Sequence, residues 1–422
     1  MSIFPASASW KQKALLWADA SFQYVIALQN NSSVKYPYGG FPWVLACANH
    51  VPEEESLKVV ETYFKAPFSE FPLFGFLGYD LKNQLEPFLF SHHTDKIGFP
   101  DAFFFIPEHL IYFYDEQVEI FSKEPFQVYS QIESLLLPFE NATTKIRWQF
   151  TFSKKEYIDT VHALQNHIEE GDIYEINFCI EQFAEDIALS PVQLFERLQK
   201  ISYNPFSAFI KHREKYALCA SPERFLKKIN QEIISQPIKG TSKRSPDPNE
   251  DERMRYTLQN SEKERSENMM ITDLVRNDLA RISQVGTVRV AEMFGVYSFP
   301  MVHQLISTVK AHLKPNASFL EILASTFPMG SMTGAPKIKA MELIEQYERT
   351  KRGLFSGSIG YILPNGDFDF NVVIRTLFYN KNRRIVSIQA GSAITYDASA
   401  EQEYEECHLK LSTISKVFLN FK

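Results

Sequence analysis

The chain has 422 residues, of which 45% are hydrophobic and 23% charged, with a net charge of −7. Such a composition excludes a disordered chain and leaves ample length for a buried core, in at most two or three domains of roughly 150 residues. The acidic balance argues against sequence-blind binding to nucleic acid or anionic lipid, both of which need surplus Lys and Arg.

No apolar run approaches the roughly 20 residues of a membrane-spanning helix. The most apolar stretch, Ala102 to Tyr114, is interrupted by Pro107, Glu108 and His109. The start, MSIFPASASW, lacks the basic head and long apolar run of a signal peptide, so a cytoplasmic protein is expected. Cys47, Cys179, Cys219 and Cys407 lie far apart without a C-x-x-C pair and read as reduced core thiols. None sits in a G-x-C-x-G turn, so the chain offers no elbow cysteine of the kind that releases ammonia from glutamine.

In chain order, residues 1–145 are rich in Phe, Tyr and Pro. FPLFGFLGYD and DAFFFIPEHLIYFYD suit strands of a buried sheet, and this part is expected to be an N-terminal lobe of the same sandwich as the rest. A polar stretch, Asn141 to Lys145, is a boundary or a loop before the region 146–422. Ser153 with Glu156 forms a capping box, and Tyr157, Val161, Leu164 and Ile168 recur at helical spacing until Gly171. The next segment alternates, with Tyr174, Ile176, Phe178 and Ile180 on one face and Glu175, Asn177 and Cys179 on the other. Further on, GSIGYIL and DFNVVIRTLFY flank an Asn365-Gly366 turn as a hairpin, and IVSIQAGSAI follows as a third strand. Short turns between neighbouring strands imply antiparallel pairing, so the class is α+β rather than a βαβ dinucleotide fold.

Four constellations can carry chemistry. Glu264 with Glu267, and Glu403 with Glu406, are carboxylate pairs at helical spacing, each on one helix face. Ser399 with Gln402 caps the second helix, whose apolar stripe is Tyr404, Cys407, Leu411, Ile414 and Phe418, with Glu403, Glu406 and Lys410 at its edge. Oxygen ligands of this kind suit Mg²⁺, and a solvated acidic face is the alternative. GSMTGAPK, Gly330 to Lys337, is a glycine-bearing loop before a helix, with Pro336 in the first turn; it is an anion cradle or a plain cap, and not a Walker A loop. In QPIKGTSKR, Lys239 beside Gly240 and Thr241 is a held amine or a surface lysine, and an amine becomes a nucleophile only when its pKa is lowered. Arg375 in NVVIRT reads as mid-strand among apolar neighbours, where it needs an anionic partner, either a structural acid or a substrate carboxylate.

Together, GDIYEINF, SPERF, PIKGT, EKERSE, DLVRNDLARI, FPMGSMTGAPKIKAMELIE, RGLFSGSIGY, DFNVVIRT, AGSAI and EQEYEE resemble the chorismate-utilising enzymes. These motifs cover about residues 150–415; the N-terminal part is similar only around GFLGYD. The resemblance implies a two-lobed α/β sandwich of mainly antiparallel sheets flanked by helices, in which Mg²⁺ holds the ring carboxylate of chorismate. It implies that Glu267 and Glu406 ligate the metal, with Glu264 and Glu403 reaching it through water. Arg375 and the backbone at Gly391 would take the enolpyruvyl carboxylate, with Lys410 near the substrate. Gly240, Thr241, Ser331, Thr333 and Phe355 would line the ring pocket.

Position 239 separates the branches: the anthranilate-forming members carry P-I-A-G-T, and the aminodeoxychorismate branch carries the P-I-K-G-T found here. The resemblance therefore implies attack by Lys239 on the ring, ammonia from a separate glutaminase subunit, and the product 4-amino-4-deoxychorismate. Departures from the family pattern are Glu175, where glutamine or lysine is usual; Gln304, where a histidine is usual; and Phe355, where tyrosine is common. Gln304 can hydrogen-bond a leaving hydroxyl but cannot act as an acid near neutral pH. Anthranilate formation and a non-catalytic chorismate-binding protein are the rival readings.

Overall fold

In the strand Tyr24–Gln29, Val25 and Ala27 enter one apolar core while Ile26 and Leu28 enter another. Burial on both faces requires cover on both sides of a sheet. The computed structural model supplies it with two large sheets and flanking helices, an α+β architecture. The structure describes residues 1–32, 34, 36–51, 57–65, 70–137 and 146–419; the stretch Asn141 to Lys145, read above as a boundary or a loop, lies outside them.

The larger, twelve-stranded sheet runs in the order Ser2–Pro5, Gln117–Phe121, His109–Tyr114, Val44–Ala48, Tyr24–Gln29, Phe206–His212, Lys215–Ser221, Thr376–Asn380, Ile385–Ile394, Glu175–Ala184 and Gly334–Ala335, with Gln149–Phe150 also on the Glu175 strand. The nine-stranded sheet runs Ile238–Lys243, Val302–His312, Glu232–Gln236, Arg224–Ile229, Phe368–Asn371, Ser358–Ile362, Leu73–Leu77 and Ala102–Phe105, with Arg289–Ser298 on the Val302 strand. Strands from the first 121 residues thus enter both sheets.

Phe76, Phe103, Ile210, Ile306 and Phe370 fill the core between the sheets, which also takes Ile271, Val275 and Leu279 from the helix Glu262–Ile282. On the outer face of the larger sheet, Trp10, Tyr157, Leu164, Leu198 and Leu411 form the second core. The helix Lys154–Glu169 carries the capping box read from Ser153 and Glu156, both bonds being present. None of the described helices is long and apolar enough to cross a membrane, and all four cysteines are free and buried.

Three local readings need correction. The apolar run beginning at Ala102 does form strands, but Ala102–Phe105 and His109–Tyr114 lie in different sheets rather than one, with Pro107 in the crossover. Likewise DFNVVIRTLFY is not one strand: Phe368–Asn371 pairs with Ser358–Ile362 as the expected hairpin, but Thr376–Asn380 joins the other sheet and pairs with Ile385–Ile394. Arg375 is therefore at the turn between sheets, with φ +54°, and not mid-strand. A run of β-formers satisfies the strand pattern whether it stays in one sheet or changes sheet. Tyr174 precedes its strand and is exposed, its N–H donating to the Ala335 carbonyl at 2.7 Å, so it is not part of that strand's apolar face.

Candidate active site

Two helices carry the glutamates, one from each side of the sandwich. The helix Glu262–Ile282 lies on the strands Ile238–Lys243 and Val302–His312 of the smaller sheet; the helix Ala400–Ser415 lies on Ile385–Ile394 of the larger one. Ser261 caps the first, its hydroxyl accepting from the Glu264 N–H. Ser399 caps the second by accepting from the Gln402 N–H, but the return bond of a full capping box is not among the bonds of the structure.

Glu264, Glu267, Glu403 and Glu406 face one another closely enough to perturb each other's charge. Burial raises the carboxyls of Glu264, Glu267 and Glu403, Glu267 to about 7, and neighbouring glutamates add to the push. Glu406, half exposed at the cleft, goes the other way: burial would raise it, but Lys410, 2.6 Å away, together with the charges of Lys239 and Lys263, outweighs that. Lys263 reaches into the group, 3.5 Å from Glu403 and 3.9 Å from Glu267. Among the described residues the one trio whose ligand atoms lie within 4.8 Å of one another is elsewhere, His167, Glu170 and Asp172. The four glutamates are gathered without being closed into a coordination sphere. Their chemistry nonetheless fits a hard dication: oxygen donors only, an excess of like charge, and partial access to water.

The floor beneath them is built differently. Lys239, on the strand Ile238–Lys243, donates to Glu175 Oε1 at 2.7 Å, and Glu175 is fully buried with Oε2 lacking a partner. Burial alone would lower the lysine's pKa, but Glu175, Glu267 and Glu406 together hold it above the usual value. The amine in this state is a fixed ammonium, and the lowered pKa that nucleophilic attack calls for is not found. Gly240 follows with φ +99°, and a Cβ there would sit 3.0 Å from Glu264 Oε2, so glycine lets the glutamate helix come close. Thr241 is exposed and pairs across the ladder with Gln304. Gln304 is buried with its Oε1 unpaired.

The GSMTGAPK loop is tied into structure rather than left open to an anion. Ser331 donates to Glu223 Oε1 at 2.7 Å, and the Thr333 hydroxyl turns back to the carbonyls of Met329 and Gly330. Gly334 pairs with Ile176 on the Glu175 strand, where a Cβ would meet the Glu175 carbonyl at 2.2 Å. Its glycine is required by that close approach. Pro336 stands just before the helix Lys337–Tyr347, as its cap. Phe355 is buried in the core between the sheets. Lys410, besides pairing with Glu406, donates to the Gly391 carbonyl at 2.7 Å. Arg375 has no carboxylate partner within ion-pair distance among the described residues; burial pulls its pKa down and Glu406 opposes that. A cation left so is suited to an incoming carboxylate.

Glu223 of the SPERF segment is a residue that motif reading passed over. It is buried, its carboxyl pushed up to about 7 by burial and restrained by Ser331 and by the charge of Lys239. An acid between two strand segments was the available signal. Its neighbour Arg224 is structural, fully buried and paired with Asp369.

Residues 18–416 match the model of the chorismate binding enzyme family, and the chain belongs to that family. It is 39% identical over 279 residues to aminodeoxychorismate synthase component 1 of Escherichia coli, a match covering 66% of this chain and 61% of that one. The chain thus spans less than two thirds of that relative's length. To anthranilate synthase component 1 of Thermus thermophilus it is 33% identical over 355 residues, covering 81% of this chain and 76% of the other. Among solved structures, anthranilate synthase component I of Streptococcus pneumoniae superposes with TM-score 0.76 at 26% identity, covering 92% of each chain.

Proposed function

We propose that this protein is component 1 of an aminodeoxychorismate synthase, turning chorismate and ammonia into 4-amino-4-deoxychorismate, the precursor of p-aminobenzoate and folate. The observation that carries the reading is the Lys239–Glu175 pair, an amine held on the floor of the site below four glutamates. An alanine at 239, as in the anthranilate-forming branch, has no group to attack with.

Mg²⁺ bound by Glu267 and Glu406, with Glu264 and Glu403 in its outer shell, would supply the charge that anchors the ring carboxylate. Arg375 orients the enolpyruvyl carboxylate, and Lys410 fixes the Gly391 strand beside it. Lys239 passes its proton to Glu175, which is in hydrogen-bond contact with it. The neutral amine then forms a bond to C2 of the ring as both ring double bonds shift, C1=C2 to C1=C6 and C5=C6 to C4=C5, and the C4–O bond breaks. The leaving hydroxyl takes a proton from Glu223, whose pKa of about 7 leaves it partly protonated at neutral pH; Gln304 can steady that hydroxyl by hydrogen bonding. Ammonia adds at C4, both double bonds return to C1=C2 and C5=C6, and Lys239 leaves as the amine. No atom of the enolpyruvyl group is lost.

The ammonia would come from a glutamine amidotransferase subunit, in a cytoplasmic heterodimer. Purified protein incubated with chorismate, Mg²⁺ and an ammonium salt tests the reaction. A product that aminodeoxychorismate lyase converts to p-aminobenzoate supports it; fluorescent anthranilate supports the rival branch, and unchanged chorismate supports a binding protein.

A further inference from the structure

Where the strand Ile238–Lys243 runs beside Val302–His312, the register slips. Ile238 faces Ile306 but Thr241 faces Gln304, so Lys239 and Gly240 together oppose Leu305 alone. This is a β-bulge, which leaves ladder groups without their regular partners and re-aims a side chain. The two carbonyls at the bulge, those of Lys239 and Leu305, each lie 3.2 Å from Asn268 Nδ2. Asn268 directly follows Glu267 on its helix and is 1% exposed. Its own orientation is fixed, because Oδ1 accepts from Ser307 Oγ at 2.5 Å and from Thr272 Oγ1 at 3.4 Å. One turn earlier on the same helix, Glu264 lies over Gly240. A single amide therefore joins the helix that carries two glutamates to the peptide that carries the amine.

We infer that Asn268 is a positioning residue for Lys239: it holds the bulge so that the amine meets Glu175 on one side and the substrate ring on the other. This rests on Lys239 being the attacking group. An amide whose four partners are all internal can also be plain folding glue, and the two roles differ in what they disturb. Glue would loosen the whole strand, including Thr241, and so weaken ligand binding; positioning touches only the reacting step.

The test compares Asn268→Ala with wild type in the ammonium-dependent assay, alongside direct titration of Mg²⁺ and of chorismate by calorimetry, the latter in a Lys239→Ala background where no turnover interferes. Positioning predicts that kcat falls about 10- to 100-fold while both dissociation constants stay within about twofold. Unchanged kcat, or binding weakened in proportion to the rate, overturns it. Ser307→Ala, which frees the amide to turn without removing it, should show the same split with a loss of about threefold, and carries the test if Asn268→Ala does not fold. If Lys239→Ala itself turns over like wild type, the nucleophile reading fails, a result separate from either outcome at Asn268.

Discussion

The two sides of the site hold their carboxylates in opposite ways. On the helical wall Glu264, Glu267, Glu403 and Glu406 repel one another, and Lys263 and Lys410 partly neutralise them from rims open to water. On the strand floor Glu175 and Glu223 are buried and held by hydrogen bonds, Glu175 by Lys239 and Glu223 by Ser331 and the Ile238 N–H. A fixed floor suits groups that exchange protons at set distances, because misplacement of about 1 Å is expensive in rate. A loose, repelling wall suits a site that gains its last stabilising charge only when a cation arrives.

The comparison breaks most directly at Lys239. Lys239→Ala should cut aminodeoxychorismate formation by about 10³-fold or more, measured by coupling to p-aminobenzoate, while Mg²⁺ and chorismate still bind. A variant as fast as wild type would make the floor no more than scaffolding. On the wall, Glu267→Gln should weaken Mg²⁺ binding about 10- to 100-fold in calorimetry, and excess metal should restore much of the rate. The same substitution leaves the Lys239–Glu175 contact in place, so metal-independent loss would mean that wall and floor are not separate. Chelation by EDTA should abolish turnover and leave the fold intact, since Ile271, Val275, Leu279 and Leu411 anchor the two glutamate helices in the apolar cores without the metal. Arg375→Lys comes next: losing the planar fork should raise KM for chorismate about tenfold with little change in kcat, in steady-state kinetics.

Much of this contrast was legible in the sequence. The i,i+3 spacing placed each glutamate pair on one helix face, and Ser153 and Ser399 mark helix starts that the structure keeps. What local pattern cannot carry is contact at long range. Glu175 meets Lys239 across 64 residues of chain, and this contact makes a lysine that read as a held amine or a surface lysine into a held ammonium. Arg375 was misplaced for a related reason: Val372, Val373 and Ile374 have the composition of a strand, while the change of sheet is decided by which strands they meet. Gly334 stood in a loop that read as an anion cradle or a plain cap, and is a contact between backbones.

The smallest effect sharpens the account of the floor, because it asks whether Glu223 is there at a thermodynamic disadvantage. Its folded pKa of about 7 exceeds that of a carboxyl in the unfolded chain. Between about pH 4.3 and 7 the folded state then holds a proton that the unfolded state has lost, so this group's contribution to stability declines as pH rises through that window. Glu223→Gln keeps an acceptor for Ser331 and has no charge to bury. It should match wild type near pH 4.5 and melt about 1–3 °C higher at pH 8, in calorimetric scans of the metal-free protein. The gain should level off only above about pH 8, where a carboxyl with a pKa of about 7 is almost wholly ionised. A lower melting temperature for the variant at pH 8 would mean that attraction to Lys239 exceeds the desolvation of Glu223. In that case the floor would rest on ion pairing, and Glu223 would be a poor proton donor to the leaving hydroxyl.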